Sequence, residues 1–327
     1  MIEAYQPLVE TLKASLTKLA AKFDKKPLEL YEPQKYILSL GGKRIRPLLA
    51  LIACDLYNQD VKKAIPSTHA LELFHNFSLI HDDIMDNAPL RRGKQTIHEK
   101  WNANVAILSG DSMLVQAYES LAESDAEKLP QLLKIFTKTA HEVCEGQQLD
   151  MNFENRSDVS LEEYTHMISL KTAVLLGCSL QMGAIVAGAS KEDQHALYTF
   201  GKELGIAFQL HDDLLDAYSD NTEFGKQIGG DIIANKKTFL LIKTLEIANS
   251  QQKQSLYTWL SKTNFDNAEK IAAIKKVYDE LSIKTICETE IKKHYSSAIK
   301  KIDQLSCDKT KKNNLVLFSE NLMNREY

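Results

Sequence analysis

Residues 129–143, LPQLLKIFTKTAHEV, return apolar side chains at Leu129, Leu132, Leu133, Phe136, Ala140 and Val143. Steps of three and four are the period of one face of an α-helix, and no stretch shows the alternation of a half-buried strand. Outward from this run, Ser160 followed by Glu163 has capping-box spacing and opens a run towards Gly188. Ser190 with Asp193 opens another that reaches about Tyr218, and Asp266 with Glu269 marks a short helix late in the chain. Seven prolines and thirteen glycines are few for a turn-rich sheet protein, and no repeated unit suggests a solenoid. Helices this long carry apolar faces that need partners, so the fold is predicted to be all-α, a large helical bundle. The Pro- and Gly-bearing stretches 27–42 and 220–230 read as internal loops.

Forty Lys and Arg against 44 Asp and Glu leave a net charge of −4, so no global positive field points to nucleic acid as a partner. The five cysteines are odd in number and form no CxxC, the usage of a cytoplasmic protein with reduced thiols. The first twenty residues carry Glu3, Pro7, Glu10 and spaced lysines without a signal-peptide core. The longest nearly apolar stretch, 172–188, is short and interrupted by Ser179 and Gln181, so no transmembrane segment is expected.

Asp82, Asp83 and Asp86 spell DDxxD at the end of one apolar run, and Asp212, Asp213 and Asp216 repeat it near the end of another. On a helix each triplet is expected to share one broad face. Like charges concentrated there repel, and carboxylates alone are poor partners for a diphosphate. Magnesium answers both problems, because it takes hard oxygen ligands and keeps positions for phosphate and water. Six carboxylates contribute about −6 and a diphosphate about −3 against +2 per ion, which accommodates three ions with basic residues nearby. One DDxxD alone reads as a solvent-facing acidic turn; two copies on apolar helices do not.

The cations sharpen this reading. GGKRIRP at 41–47 supplies a turn followed by cations entering a helix. Lys43 and Arg46 can reach one anion, with Arg offering fixed donors suited to phosphate oxygens. Arg91 and Arg92 follow the first cluster, and His75 lies nearly two turns before Asp82, where it can donate to a phosphate. Taken singly, His75 reads equally as a packed polar residue and each arginine as a surface ion-pair partner. Lys171, beside Thr172 in a mostly apolar helix, needs a ligand or an acidic partner. Gln209, three residues before Asp212, can face the same cavity. Lys226 can fold over a diphosphate from the loop after the second cluster, and Lys236 and Lys237 can serve likewise or stand as a solvated pair.

Together these residues resemble the trans-prenyltransferase family of head-to-tail polyprenyl diphosphate synthases. The resemblance covers approximately residues 30–300 and rests on GGKRIRP 41–47, HDDIMD 81–86, RRG 91–93 and GD 110–111. It continues through GQQLD 146–150, KTA 171–173, FQLHDDLLD 208–216 and GGDIIANKKT 229–238. It implies a single domain over 1–327, an antiparallel bundle of the isoprenoid synthase type around a deep central cavity, and a homodimer. It implies Asp82, Asp86 and Asp212 as direct magnesium ligands, supported by Asp83, Asp213 and Asp216, with three ions when substrate is bound. Arg91, Lys171, Lys226 and Lys236 are implied to hold an allylic diphosphate (dimethylallyl, geranyl or farnesyl). Lys43, Arg46, His75 and Arg92 are implied to hold isopentenyl diphosphate, while Thr172 and Gln209 turn oxygen dipoles towards the developing cation. The implied reaction is ionisation, condensation and elimination, with water excluded.

The same resemblance places Phe77 and Ser78 at the floor of the tunnel for the growing chain. A bulky residue followed by a small one is similar to synthases that stop at twenty carbons, which favours geranylgeranyl diphosphate over farnesyl diphosphate or longer products. Phe77 also reads as a packing residue, with another side chain closing the tunnel. The competing functions are a terpene cyclase or head-to-head condensing enzyme, and a non-catalytic prenyl-diphosphate-binding subunit. The separate anion sites argue against the first and the complete set of aspartates against the second.

Overall fold

The computed structural model describes residues 3–219 and 229–324, and the described residues are helical almost throughout. In chain order the helices are α1 Gln6–Ala21, α2 Leu28–Ser39, α3 Ile45–Asp55, α4 Ile65–Met85, α5 Ile97–Lys100 and α6 Ala103–Ala122. Then come α7 Leu129–Glu154, α8 Leu161–Ile168, α9 Val174–Val186, α10 Lys191–Tyr218 and α11 Gly230–Ile233. The chain ends through α12 Phe239–Ile247, α13 Ser250–Leu260, α14 Asn267–Glu280, α15 Ile283–Asp303 and α16 Lys309–Met323.

The expected starts are built as their residue types require. Ser160 Oγ accepts from the Glu163 amide at 3.2 Å while Glu163 Oε2 accepts from the Ser160 amide at 2.9 Å, closing a capping box on α8. Ser190 Oγ accepts from the Asp193 amide at 3.1 Å, and Asp266 Oδ1 from the Glu269 amide at 3.0 Å. The helix that Asp266 opens has 14 residues, longer than the short helix expected.

Two expectations need correction. Residues 27–42 are mostly a helix, not a loop: α2 runs through them with Pro33 inside it. Its buried residues Pro33, Gln34 and Ile37 fall at helical spacing, so burial of one face overrides the low helix propensity of proline. There is also a small antiparallel ribbon, β1 Leu90–Arg91 with β2 Lys94–Gln95. Arg92 and Gly93 form its two-residue turn with φ of 54° and 72°, the doubly left-handed turn that matches strand twist. Two-residue strands are too short to leave an alternation pattern.

The chain packs as two compact units. The first comprises residues up to His141, with Leu175–Gly201 and Ile299–Asn321. In it α3 is buried along its whole middle, Pro47 to Cys54, so it is apolar all round. Helix α4 packs along α6 and against α3, and α2 and α5 lean on α6. The second comprises Glu142–Val174, Lys202–Ala298 and the residues from Leu322 onward. Its core gathers Phe153, Tyr164, Leu210, Leu214, Phe239 and Tyr278. The continuous helical run Leu161–Val186 is long and apolar enough to cross a membrane, yet 83% of its most apolar window is buried inside the protein, the mark of a core helix.

Candidate active site

In the first unit the leading aspartate cluster lies where α4 runs out. The Asp86 amide donates to the Asp82 carbonyl at 2.9 Å and closes the last turn. A helix C-terminus carries partial negative charge, so three carboxylates here are disfavoured unless cations neutralise them. Asp82 and Asp86 keep their one-turn spacing towards the surface, but Asp83 does not share their face: it turns inward, 2% exposed. Adjacent helical positions point about 100° apart, so the middle aspartate can enter the core while its neighbours do not. The ribbon brings Arg91 back over α4, where its Nε donates to both Asp83 oxygens at 2.8 and 2.9 Å and its Nη2 lies 2.6 Å from Oδ1. Burial pushes the Asp83 carboxyl up and the bond to Arg91 pulls it back, while Arg91 is kept charged by that same bond.

The basic turn stands in the same unit. Lys43 is exposed, and Arg46 enters the first turn of α3 with its Nη1 3.1 Å from His75 Nε2. Arginine can only donate, so His75 Nε2 accepts and its remaining donor is Nδ1–H. Burial and the surrounding arginines, Arg46 foremost, hold His75 neutral. Arg92 Nη1 donates to the Gly41 carbonyl, which joins the ribbon turn to the GGKRIRP turn. Phe77 is buried with its ring centroid 4.7 Å from His81 and 5.7 Å from Phe74, which meets Phe136 at 5.5 Å. Ser78 Oγ donates to the His75 carbonyl at 2.9 Å.

In the second unit a polar cavity of about 110 Å³ is lined by Asp150, Lys171, Thr172, Gln209, Asp213 and Asp231, with Tyr164, Lys236 and Lys237 also on its wall. Residues 169–173 form a turn of π-helix between α8 and α9, a widened turn that sets Lys171 and Thr172 side by side. Backbone packs on both sides of that turn. A Cβ on Gly146 of α7 would collide with the Lys171 amide, and one on Gly205 of α10 would lie 2.6 Å from Ala173 Cα. The acidic partner that Lys171 needs is Asp150, with Nζ 2.6 Å from Oδ2.

Thr172 Oγ1 donates to Gln209 Oε1 at 3.2 Å, and Gln209 Nε2 donates to Asp213 Oδ1 at 3.0 Å. Tyr164 OH completes the chain by donating to Asp213 Oδ2 at 2.5 Å. Because the Thr172 proton is committed to Gln209, the hydroxyl lone pairs are left for the cavity. Asp213 is 6% exposed, and burial, with Asp231 nearby, pushes its carboxyl up to about 7. Asp216 Oδ2 accepts from the Asp231 amide at 3.0 Å, which ties the second cluster to α11. Lys236 is exposed; Lys237 is partly buried and burial lowers its pKa. Lys226 lies in 220–228, outside the described residues.

Three of these residues have no assigned role on sequence grounds. Asp150 and Asp231 stand inside GQQLD and GGDIIANKKT, so the motifs carried their signal. Tyr164 carried none, because a tyrosine on an amphipathic helix reads as core. Among the described residues no three Asp, Glu, His or Cys side chains form a ready metal cage. An ion bound through one or two carboxylates and completed by substrate oxygens requires none, and the aspartates at these helix ends have the hard-oxygen chemistry that magnesium takes.

The family description of polyprenyl synthetases matches residues 27–281. The chain is 41% identical over 248 residues to the short chain isoprenyl diphosphate synthase of Methanocaldococcus jannaschii, covering 76% of each. It is 38% identical over 301 residues to the geranylgeranyl diphosphate synthase of Saccharolobus solfataricus, covering 86% of this chain and 91% of that one. A crystal structure of a geranylgeranyl pyrophosphate synthase superposes with a TM-score of 0.92 at 44% identity, covering 97% of this chain and 99% of the other. The chain belongs to the polyprenyl synthetase family. It is a trans-prenyltransferase that elongates prenyl chains head to tail, and membership carries dependence on divalent metal.

Proposed function

We propose that this enzyme condenses isopentenyl diphosphate with dimethylallyl, geranyl or farnesyl diphosphate and releases chiefly geranylgeranyl diphosphate. The observation that carries the reading is the Thr172–Gln209–Asp213 chain beside Lys171, since it offers oxygen lone pairs to a cation next to an ammonium suited to a diphosphate. Lys171, Lys236 and Arg91 hold the allylic diphosphate. Lys43, Arg46, Arg92 and His75, through Nδ1–H, hold isopentenyl diphosphate. Asp82, Asp86 and Asp212, with Asp83, Asp213 and Asp216 behind them, hold magnesium, three ions once substrate is bound. Bound there, magnesium neutralises charge on the departing diphosphate. As the allylic C–O bond breaks, Thr172 and Gln209 turn oxygen towards the carbon that becomes positive. The isopentenyl double bond then attacks that carbon, and the released diphosphate takes up the proton whose loss forms the new double bond and restores an allylic diphosphate.

Twenty carbons is favoured by buried Phe77 beside small Ser78 and by the names of the relatives. The enzyme works as one synthase domain over the whole chain and as a homodimer, for which Leu108 and Val115, 62% and 60% exposed on α6, give an apolar face. Its five cysteines form no disulfide, which suits the cytoplasm. Product chromatography with isopentenyl diphosphate and each primer tests the reading. A C20 peak is expected, with diphosphate release dependent on isopentenyl diphosphate. A dominant C30 or longer product overturns the length, and release without isopentenyl diphosphate overturns elongation. Phe77→Ala is expected to lengthen the product.

A further inference from the structure

Glu72 lies in the middle of α4, 1% exposed, three residues before His75 and ten before the first aspartate cluster. A carboxylate buried this deeply is costly unless charge and hydrogen bonds compensate it. Here one oxygen collects both kinds of partner. Arg44 Nη1 pairs with Glu72 Oε1, and Asn76 Nδ2, one turn further along α4, donates to the same oxygen at 2.6 Å. The other end of the Arg44 fork, Nη2, donates to the Leu38 carbonyl of α2. Arg44 is therefore committed inside the protein, although it sits between two cations assigned to substrate.

What that commitment holds in place is a turn. Arg44 is the residue before α3, with φ 48° and ψ 39°, and it follows Gly41 at φ 77° and Gly42 at φ 117°. L side chains rarely take the left-handed region and keep it only where their surroundings determine it. The two-ended bond of Arg44, to Glu72 and to Leu38, is such a surrounding. With Arg44 drawn inward, Arg46 falls in the first turn of α3 against His75. Arg92 docks on the same turn: its Nη1 donates to the Gly41 carbonyl, and a Cβ on Gly42 would lie 2.7 Å from its Cζ.

We propose that Glu72 is a positioning residue for isopentenyl diphosphate, acting through Arg44 to hold the Gly41–Arg46 turn, with Asn76 fixing its carboxylate. The proposal rests on the assignment of Lys43, Arg46, His75 and Arg92 to that substrate. Of the two arginines in GGKRIRP, Arg44 is the anchor and Arg46 the ligand.

The test compares Glu72→Gln, Arg44→Gln, the double variant and Arg46→Ala in the full-length protein, with kcat, both KM values and the melting temperature of each. Glu72→Gln and Arg44→Gln are each expected to raise the KM for isopentenyl diphosphate about tenfold, as misplaced positioning groups do, while the allylic KM stays within about twofold. The double variant is expected to be no worse than the worse single one, since the pair acts as a unit. If Arg46→Ala raises that KM but Glu72→Gln lowers only the melting temperature, or moves both KM values together, the positioning role is wrong and the substrate assignment stands. If Arg46→Ala leaves the KM for isopentenyl diphosphate unchanged, the assignment itself fails. Should Glu72→Gln not fold, Arg44→Gln carries the same comparison at the less buried partner, 18% exposed.

Discussion

Asp83 and Asp213 hold the same place in the same five-residue motif and both are buried, yet their company differs. Asp83 is clasped by the guanidinium of Arg91, whereas Asp213 is bonded by a phenol, Tyr164, and an amide, Gln209. The first cluster thus carries a counter-ion of its own. Asp213 takes its hydrogen bonds from neutral donors, and burial first, with Asp231 nearby, pushes its carboxyl up to about 7. Identical spelling therefore gives one middle aspartate clasped by a guanidinium of the protein and another held by neutral hydrogen bonds, with its carboxyl raised by burial.

The widest consequence is in turnover. Asp82→Ala and Asp212→Ala are each expected to lower kcat by about a thousandfold or more while circular dichroism stays unchanged, as removal of charge stabilisation at a reacting centre does. If either variant keeps the wild-type rate across a magnesium titration, its cluster is not part of the chemistry.

Stability should separate the two middle aspartates more finely. Arg91→Ala leaves a buried carboxylate without its cation, a change that costs about 3–5 kcal/mol. Tyr164→Phe removes one neutral hydrogen bond and should cost about 1 kcal/mol. Urea denaturation of the two variants measures both, and equal losses would erase the distinction drawn between the clusters.

The gentlest probe is pH. A carboxyl whose folded pKa is raised binds its proton more tightly in the folded protein. Its contribution is complete below the unfolded value of about 3.9 and is lost as pH rises to about 7. Without divalent ions, wild type should therefore lose stability across that window, and Asp213→Asn should show a shallower slope. Magnesium should restore stability at the upper end with release of up to one proton, readable by calorimetry in buffers of different ionisation enthalpy. An unchanged slope in Asp213→Asn would place the titration elsewhere.

How far the sequence carried these conclusions varies from element to element. The run at 129–143, the serines that cap α8 and α10, and both aspartate motifs could be read directly, because helical period, capping and motif spacing are local properties of the chain. Helix α2 could not, since Pro33 and the flanking glycines argue for a loop and only burial of one face overrules them. The ribbon that carries Arg91 was equally hidden in two-residue strands.

By itself the sequence determined an all-α chain with two acidic helix ends, a basic turn and an ammonium that had to find a partner. Tertiary structure chose the partners: Arg91 for Asp83, Tyr164 for Asp213, Asp150 for Lys171 and Arg44 for Glu72. The division has one physical cause. Periodicity and capping join residues three or four apart, whereas the protonation and orientation of a buried charge depend on groups that only the folded chain brings within hydrogen-bond reach.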